Sequence, residues 1–410
     1  MLAKSSTELV RQQNSALVLS ALRRHGRLAH TEISDATGLA SATISAITAE
    51  LERAGVIEKI EQQAATGRGR PRVLFSQRRS CGYLIIVIIS SDSIQYSLVD
   101  YAGTLLDRFA EPRGEGGTAA FIDSISAALA RALTRSRIGP NEVLLVSVSS
   151  KGLAHASEPV LVWSPVFGAQ PVDFTAVLKG EWHAKVILNN ETLLVAGALL
   201  EREEKKEREG EPVLAALSLG HSIGLGIGRR GTAAGPDISA PNFGHMLHIP
   251  NGALCRCGAR GCIEAYAGLY AILRTAFEVP IDTIPAKFVP LAEIDKIAAQ
   301  ARQGNRRAQL AFRQAGVALG NGLSRLLSLH GHMPVYITGP GTRHQDLLQA
   351  GIEEGLSEAQ VVRLGGMPAL TVAPDEPSLV FEGHLNLAFS IADQDIILSR
   401  PHPPVRAAGE

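Results

Sequence analysis

Three of the chain's four cysteines fall within eight residues, in Cys255-Arg256-Cys257-Gly258-Ala259-Arg260-Gly261-Cys262, and His245 stands ten residues ahead. Thiolate sulfur and imidazole nitrogen are the donors zinc takes, and three of one with one of the other complete a tetrahedron. A complete set leaves no open coordination position, so the chemistry implied is structural rather than catalytic. Glycines at 258 and 261 let the backbone fold back so that three thiolates converge on one point. A cluster of buried or reactive thiols is the competing reading, and a disulfide is a third, although nothing in the sequence suggests export. Spacing, glycines and the upstream histidine favour His245, Cys255, Cys257 and Cys262 as ligands of one structural Zn2+.

The elements that must position such a site come from a long chain. At 410 residues, two or three domains are expected. A formal net charge of zero hides an asymmetry: residues 1–80 carry 12 Lys/Arg against 7 Asp/Glu, so the remainder is acidic. A basic head on an acidic body suits an anionic polymer as partner for the head. No stretch reaches the ~18 uninterrupted apolar residues of a membrane span. The first apolar run, Ala16 to Leu22, is interrupted by Ser20 and followed by Arg23-Arg24, unlike a secretory leader. Few cysteines, mostly in a metal-type cluster, fit a reducing cytoplasm. Cys81 reads as a small apolar residue at a strand edge.

Apolar residues from Leu9 to Leu22 recur at helical spacing and predict a helix over about 8–25. Thr31–Thr37 predicts a short second helix, with Gly38 as the turn. Ser41 then reads as the cap of a third helix over 42–51, whose buried stripe is Ile44, Ile47 and Leu51. Thr43, Ser45, Ala46 and Thr48 fall on its other face, small or hydrogen-bonding as a DNA-reading helix requires. A strand over 55–60, a polar tip over 62–72 and a strand at Val73–Phe75 make a wing. The tip holds Arg68, Arg70 and Arg72. Its Arg-Gly-Arg-Pro run resembles the core of AT-hook segments, whose arginines enter a narrow minor groove about 6 Å wide. Double-stranded DNA is therefore the expected partner, read by Ser41, Thr43, Ser45, Ala46, Thr48, Arg68, Arg70 and Arg72.

Two similar α/β halves follow. Tyr83–Ile89 with Ile94–Val99, and Val213–Leu219 with Ile223–Gly228, read as paired strands early in each half. Val143–Val148, Lys185–Leu188 and Val335–Thr338 supply further strands, and helices are expected at about 118–135, 192–208, 263–277, 306–329 and 376–391. The charged run Glu201–Glu209 reads as a solvated helix end.

Gly244-His245-Met246 followed by Cys255-x-Cys257-Gly258-x-x-Gly261-Cys262-x-Glu264-Ala265-Tyr266 resembles the signature of the ROK family, bacterial sugar kinases and transcriptional regulators built on one fold. The resemblance extends weakly over about 80–400, and the head matches the regulator branch. It implies an α/β chain: a winged helix-turn-helix over 1–80, then a two-lobed actin-like sugar-kinase fold. Lobe 1 spans 81–190 and is completed by a C-terminal helix over about 376–400; lobe 2 spans 191–375 and carries the zinc motif. His245 binds zinc or lies at the sugar in different members, and is assigned to zinc here.

Against the family's active site, the departures are several. The first phosphate loop normally carries glycines, because backbone N–H groups must approach phosphate closely; here it reads Ser90-Ser91-Asp92-Ser93. The second, Gly220-His221-Ser222-Ile223-Gly224, holds a bulky histidine and a serine in place of threonine and glycine. The catalytic base is the Asp of an Asn-Asp pair, which here is Asn189-Asn190, and an amide cannot take a proton from a sugar hydroxyl. One sugar-binding carboxylate has become Asn242, while Glu264 is retained. Asn189, Asn190, Asn242 and Glu264 can still ring a polyol with hydrogen bonds; the alternative is a vestigial cleft whose amides only satisfy loop backbone.

The reading that follows is a DNA-binding regulator, a repressor of carbohydrate genes, with no enzyme activity and a carbohydrate effector in a kinase-like cleft. It works as a homodimer or homotetramer, without membrane attachment. A sugar kinase with an added head is the enzyme alternative, and a regulator answering to a protein partner is the third.

Overall fold

The computed structural model describes residues 2–62, 72–114, 116–180, 182–204, 213–231, 236–286 and 288–398. The head comprises α1 (Leu2–His25), α2 (His30–Thr37), α3 (Ser41–Arg53) and a hairpin of β1 (Ile57–Gln62) with β2 (Arg72–Gln77). Gly38 turns α2 into α3 through a left-handed conformation, φ 69°. Val18, Leu19, Leu22, Ile33, Ile44, Ile47, Leu51 and Phe75 form one small core. The first helix begins at Leu2 rather than near residue 8.

Lobe 1 holds β3 (Tyr83–Ile89), β4 (Ser93–Asp100), β5 (Leu105–Pro112), α4 (Thr118–Ser136), β6 (Val143–Ser150), a small sheet of β7 (Leu153–Ala154), β8 (Val160–Trp163) and β9 (Val172–Asp173), and β10 (Lys185–Asn190). Lobe 2 holds α5 (Glu191–Glu204), β11 (Val213–Leu219), β12 (Ile223–Arg229), β13 (Asp237–Ser239), α6 (Glu264–Ala267), α7 (Leu269–Ala276), α8 (Leu291–Arg302), α9 (Arg306–His330), β14 (Val335–Thr338), α10 (Gln345–Ser357), α11 (Gln360–Gly365) and β15 (Leu370–Val372); α12 (Glu376–Leu398) closes the chain.

The two main sheets repeat one topology. Their orders are β5-β4-β3-β6-β10 and β13-β12-β11-β14-β15. In each, the first strand is antiparallel to the second and parallel to the strand on its other side. Continuous apolar strands make such sheets possible, because both faces must be covered. In β3, Ile85 and Val87 enter the core under α4, whereas Leu84 and Ile86 pack against Ala388 and Phe389 of α12. In β11, Leu217 and Leu219 face the α9 side, and Leu214 and Ala216 face α5 and α12.

Helix α12 therefore threads three cores in turn. Leu379 and Val380 lie in the lobe-2 core, Ala388, Phe389 and Ala392 in the lobe-1 core, and Ile396 and Ile397 pack against the head. A buried polar lock marks the last junction. Arg23 of α1 donates to Asp393 at 2.8 Å and to the Tyr101 carbonyl at 2.7 Å, and its guanidinium lies 3.7 Å from the Phe389 ring centroid. The Tyr101 hydroxyl donates to the same Asp393 oxygen at 2.5 Å.

Periodicity does not anticipate β5, the β7-β8-β9 sheet, α8, α10 or α11. The helix expected over about 263–277 is two, α6 and α7, because Gly268 adopts an extended backbone with ψ 156°. The helix expected to reach 208 is described to Glu204. Cys81 lies on a short 3-10 turn, Arg79–Cys81, against the head core rather than on a strand. Among the described residues, no helix is long and apolar enough to cross a membrane.

Candidate functional sites

The third helix of the head presents Ser41, Ala42, Ser45, Ala46 and Ala49 to solvent, with Thr43 half-buried. Two expectations there are corrected. Thr48 is 1% exposed, because 44, 47, 48 and 51 form one inward stripe at the i, i+3, i+4, i+7 spacing. Its hydroxyl donates to the Ile44 carbonyl at 2.8 Å and meets His30 Nε2 at 2.9 Å, so Thr48 holds the two helices together and does not face outward. Ser41 is the first helical residue rather than the cap; the cap position is Ala40, with no side-chain hydrogen bond. Arg68 and Arg70 lie outside the described residues, and Arg72 opens β2.

The four sequence-assigned ligands converge. One ligand atom from each of His245, Cys255, Cys257 and Cys262 lies within 4.8 Å of the others. His245 Nδ1 is 3.5 Å from Cys255 Sγ, and the Cys257 and Cys262 sulfurs are 3.7 Å apart. Zinc bonds of about 2.3 Å to sulfur and about 2.05 Å to nitrogen require tetrahedral edges of about 3.8 Å (S···S) and about 3.6 Å (S···N). The two observed distances match such edges, and the Cys257 and Cys262 sulfurs are too far apart for a disulfide, which needs about 2.05 Å.

The knuckle that brings the ligands together is tight. Cys255 N–H donates to the Ala259 carbonyl at 2.9 Å, and Gly261 takes φ 78° so close to Ile249 that a Cβ there would stand 1.8 Å from its carbonyl oxygen. Burial pushes the Cys255 thiol far above its ordinary range and raises Cys262 to about 11. Thiolates so crowded need a cation to hold them ionised.

The loops of the kinase-like cleft are held by the protein's own groups. The Ser90–Ser93 turn closes on itself, with Ser90 N–H on the Ser93 carbonyl at 2.9 Å, and Arg113 Nε donates to the Ser91 carbonyl at 3.1 Å. His221 of the second loop stacks on Phe288, ring centroids 4.8 Å apart, and its Nε2 meets the Val289 carbonyl at 2.7 Å. Arg256 donates to the His221 carbonyl at 2.7 Å.

Asn190 Nδ2 donates to the Gly152 carbonyl at 2.8 Å, and its Oδ1 accepts from Thr192 N–H at 2.9 Å and Thr192 Oγ1 at 2.7 Å. The amide is thus committed to the loop that starts α5. A carboxylate there would face the Gly152 oxygen without a proton to donate. Asn189 Nδ2 has no hydrogen-bond partner among the described residues, and the exposed Asn242 makes no side-chain cap to the turn it begins.

Glu264 is 1% exposed; Oε2 accepts Ile223 N–H at 3.1 Å, and Oε1 has no partner among the described residues. Burial raises its carboxyl to about 7 against the lowering influence of Arg256. Between the lobes stands a cation that sequence reasoning missed. Lys151 Nζ lies 3.7 Å from Glu191, whose carboxyl burial also raises to about 7. Burial alone would lower the lysine; Glu376, Glu191 and Glu264 outweigh it and keep the ammonium charged. Glu376, at the start of α12, also accepts the hydroxyl of Ser218 on β11. Three segments far apart in sequence assemble this cluster, and the one available signal was a lone lysine ending a buried strand.

A family model described as the ROK family matches residues 87–369, and one described as winged helix-turn-helix DNA-binding matches residues 14–58. The xylose repressor of Caldicellulosiruptor bescii is 23% identical over 368 residues, 86% of this chain and 90% of that protein. The DNA-binding transcriptional dual regulator NagC of Escherichia coli is 23% identical over 350 residues, 85% of each chain. The crystal structure of a ROK family transcriptional regulator, a homolog of the E. coli MLC protein, superposes with TM-score 0.72 at 19% identity and covers 95% of this chain and all of that one. A ROK family glucokinase from Streptomyces griseus, solved with glucose and AMPPNP, superposes with TM-score 0.52 at 22% identity over 75% of this chain and 99% of its own.

Proposed function

This chain belongs to the ROK family, and we propose that it is a DNA-binding transcriptional repressor of carbohydrate-metabolism genes, controlled by a sugar in a cleft that transfers no phosphate. The observation that carries the reading is the pairing of an exposed, small-residue recognition helix with a cleft whose base position is a committed amide. The extent of the likenesses supports it: the regulator structure spans the head as well as the body, whereas the glucokinase spans three-quarters of the chain. Relatives named as a xylose repressor and an N-acetylglucosamine repressor support a sugar as the effector class.

In this reading residues 1–80 read DNA, 81–190 with α12 form lobe 1, and 191–375 form lobe 2. Ser41, Thr43, Ser45 and Ala46 meet base edges, and the arginines at 68, 70 and 72 enter the minor groove. The chain acts in the cytoplasm as a dimer or tetramer, its two heads on half-sites separated by whole helical turns. Asn189, Asn242 and Glu264 hold the effector, with Asn190 shaping the loop beneath them. Zinc is the metal of the Cys3His knuckle. It would pin the segment between β13 and α6 that shapes the lobe-2 wall. Signal passes along α12, which begins at Glu376 in the cleft and ends on the head at Asp393 and Arg23.

The test is genome-wide footprinting followed by gel-shift titration on the recovered operator, with and without sugars. Sequence-specific binding that a sugar weakens is expected. Arg68→Ala with Arg70→Ala should lower both the affinity and its salt dependence, by a slope of about 1–2 for two lost phosphate or groove contacts. Undiminished affinity would remove the wing from the interface. Hexose-dependent ADP release that Asn190→Ala abolishes would restore the kinase reading.

A further inference from the structure

The lobe-1 side of the cleft carries an aromatic ring that neither phosphate chemistry nor the metal requires. Trp163 ends β8 and is half-buried. Its backbone lies against Gly152: a Cβ on that glycine would stand 2.2 Å from the Trp163 carbonyl oxygen. Gly152 is the residue whose own carbonyl accepts the Asn190 amide.

Across the cleft, the indole meets His245 edge-on, with ring centroids 5.4 Å apart at 87°. The Nδ1 of that histidine is turned to Cys255. Its neighbour Gly244 packs so closely on Ile223 that a Cβ would lie 2.2 Å from the Ile223 oxygen, and Ile223 N–H donates to Glu264. These contacts run as a chain from Asn190 through Gly152 and Trp163 on lobe 1 to His245, Ile223 and Glu264 on lobe 2. Glu264 at one end of the chain, and Asn189 next to Asn190 at the other, each hold a buried polar atom without a partner among the described residues, Oε1 and Nδ2. The chain's other indole, Trp182, packs instead against the lobe-1 core.

We propose that Trp163 is the lobe-1 wall of the effector site, its indole stacking on the C–H face of a sugar whose rim hydroxyls reach Glu264 and Asn189. A pyranose offers one apolar face and a polar rim; an indole supplies the plane for the first, and unpaired acceptor and donor atoms suit the second. Binding then exchanges the Trp163–His245 ring contact for a Trp163–sugar contact, so the ligand acts on the lobe-to-lobe junction beside the metal knuckle. The inference rests on the sugar-effector reading above.

The experiment titrates D-xylose, D-glucose and N-acetyl-D-glucosamine into the full-length metal-loaded protein. It reads calorimetric affinity and indole fluorescence for the wild type, Trp163→Ala, Trp163→Phe and Trp182→Phe. Trp182→Phe should keep both the affinity and the fluorescence change. Trp163→Phe should lose the fluorescence change yet bind within about threefold of wild type, and Trp163→Ala should bind on the order of tenfold more weakly. Should the alanine variant fail to fold, the phenylalanine variant and the Trp182→Phe signal decide. Wild-type affinity in Trp163→Ala, or a fluorescence change that belongs to Trp182, overturns the role of Trp163 and leaves the effector reading intact. No binding of any of the three sugars to the wild type overturns both.

Discussion

The metal knuckle and the kinase-like cleft adjoin, with Glu264 only two positions beyond Cys262, yet their contents differ in kind. The knuckle gathers one ligand atom from each of its four residues within 4.8 Å, with His245–Cys255 and Cys257–Cys262 at tetrahedral-edge distances. The cleft has the kinase fold's walls, but the Asn190 amide is bonded to Gly152, a histidine is folded into the second loop and a lysine stands among three carboxylates. A tetrahedral site cannot lose one ligand and keep its geometry, whereas a cleft can lose its proton acceptor and keep its shape. Recognition needs only hydrogen bonds and fit; phosphoryl transfer needs aligned phosphate, metal and base besides.

The sharpest way to break the contrast is at the knuckle. Elemental analysis of purified protein should find about one zinc per chain. Cys257→Ser should lose it and, because metal affinity is folding free energy for such a loop, cost several kcal/mol, about 5 or more, lowering the melting temperature of the body. A metal-free protein that melts like the wild type would show that the four residues are not a structural site.

The cleft should answer more mildly. Lys151→Met leaves Glu191 and Glu376 buried without their cation, and breaking a buried pair from one side costs about 3–5 kcal/mol. Lys151 keeps 30% of its side chain exposed, so the lower end is expected. Adding Glu191→Gln to Lys151→Met should recover part of the loss, since it removes a charge left unpaired. No recovery in thermal or denaturant unfolding would mean that the cation and carboxylate act independently.

The same contrast explains what was legible in the sequence. The knuckle's ligands lie within 18 consecutive positions, and donor type and spacing carry the whole inference. The head's helices were legible because their apolar stripes are local. Thr48 was misplaced because a threonine at i+4 of a stripe reads as polar until its hydroxyl is seen back-bonded to Ile44. The paired hairpins β3–β4 and β11–β12 were legible as apolar runs around short turns. The cleft was legible only where a resemblance supplied positions. Lys151 follows the end of β6, Glu191 and Glu376 come from α5 and α12, and Trp163 from a three-stranded sheet too short to leave a period. No local pattern announces a cluster that only the topology assembles.

The smallest effect sharpens the comparison most, because it isolates one carboxyl within the cleft. Glu264 is raised to about 7 in the folded chain, from an ordinary value near 4.5, chiefly by burial. A carboxyl raised on folding binds its proton more tightly in the native state, so its contribution to stability is full below the unfolded value and is lost as pH rises through about 7. Glu264→Gln keeps an oxygen to accept Ile223 N–H and has no proton to lose. The variant should therefore match the wild type near pH 4.5 and exceed it increasingly up to about pH 7–8, by on the order of 1–3 kcal/mol. Comparing the two proteins at each pH cancels the acid lability of the thiolate and imidazole ligands, which both share. An unfolding difference independent of pH over that window would mean that Glu264 is ionised throughout, held by Arg256 as a permanent pair. A difference that appears on schedule and vanishes when a sugar is bound would identify Glu264 Oε1 as the atom the effector engages.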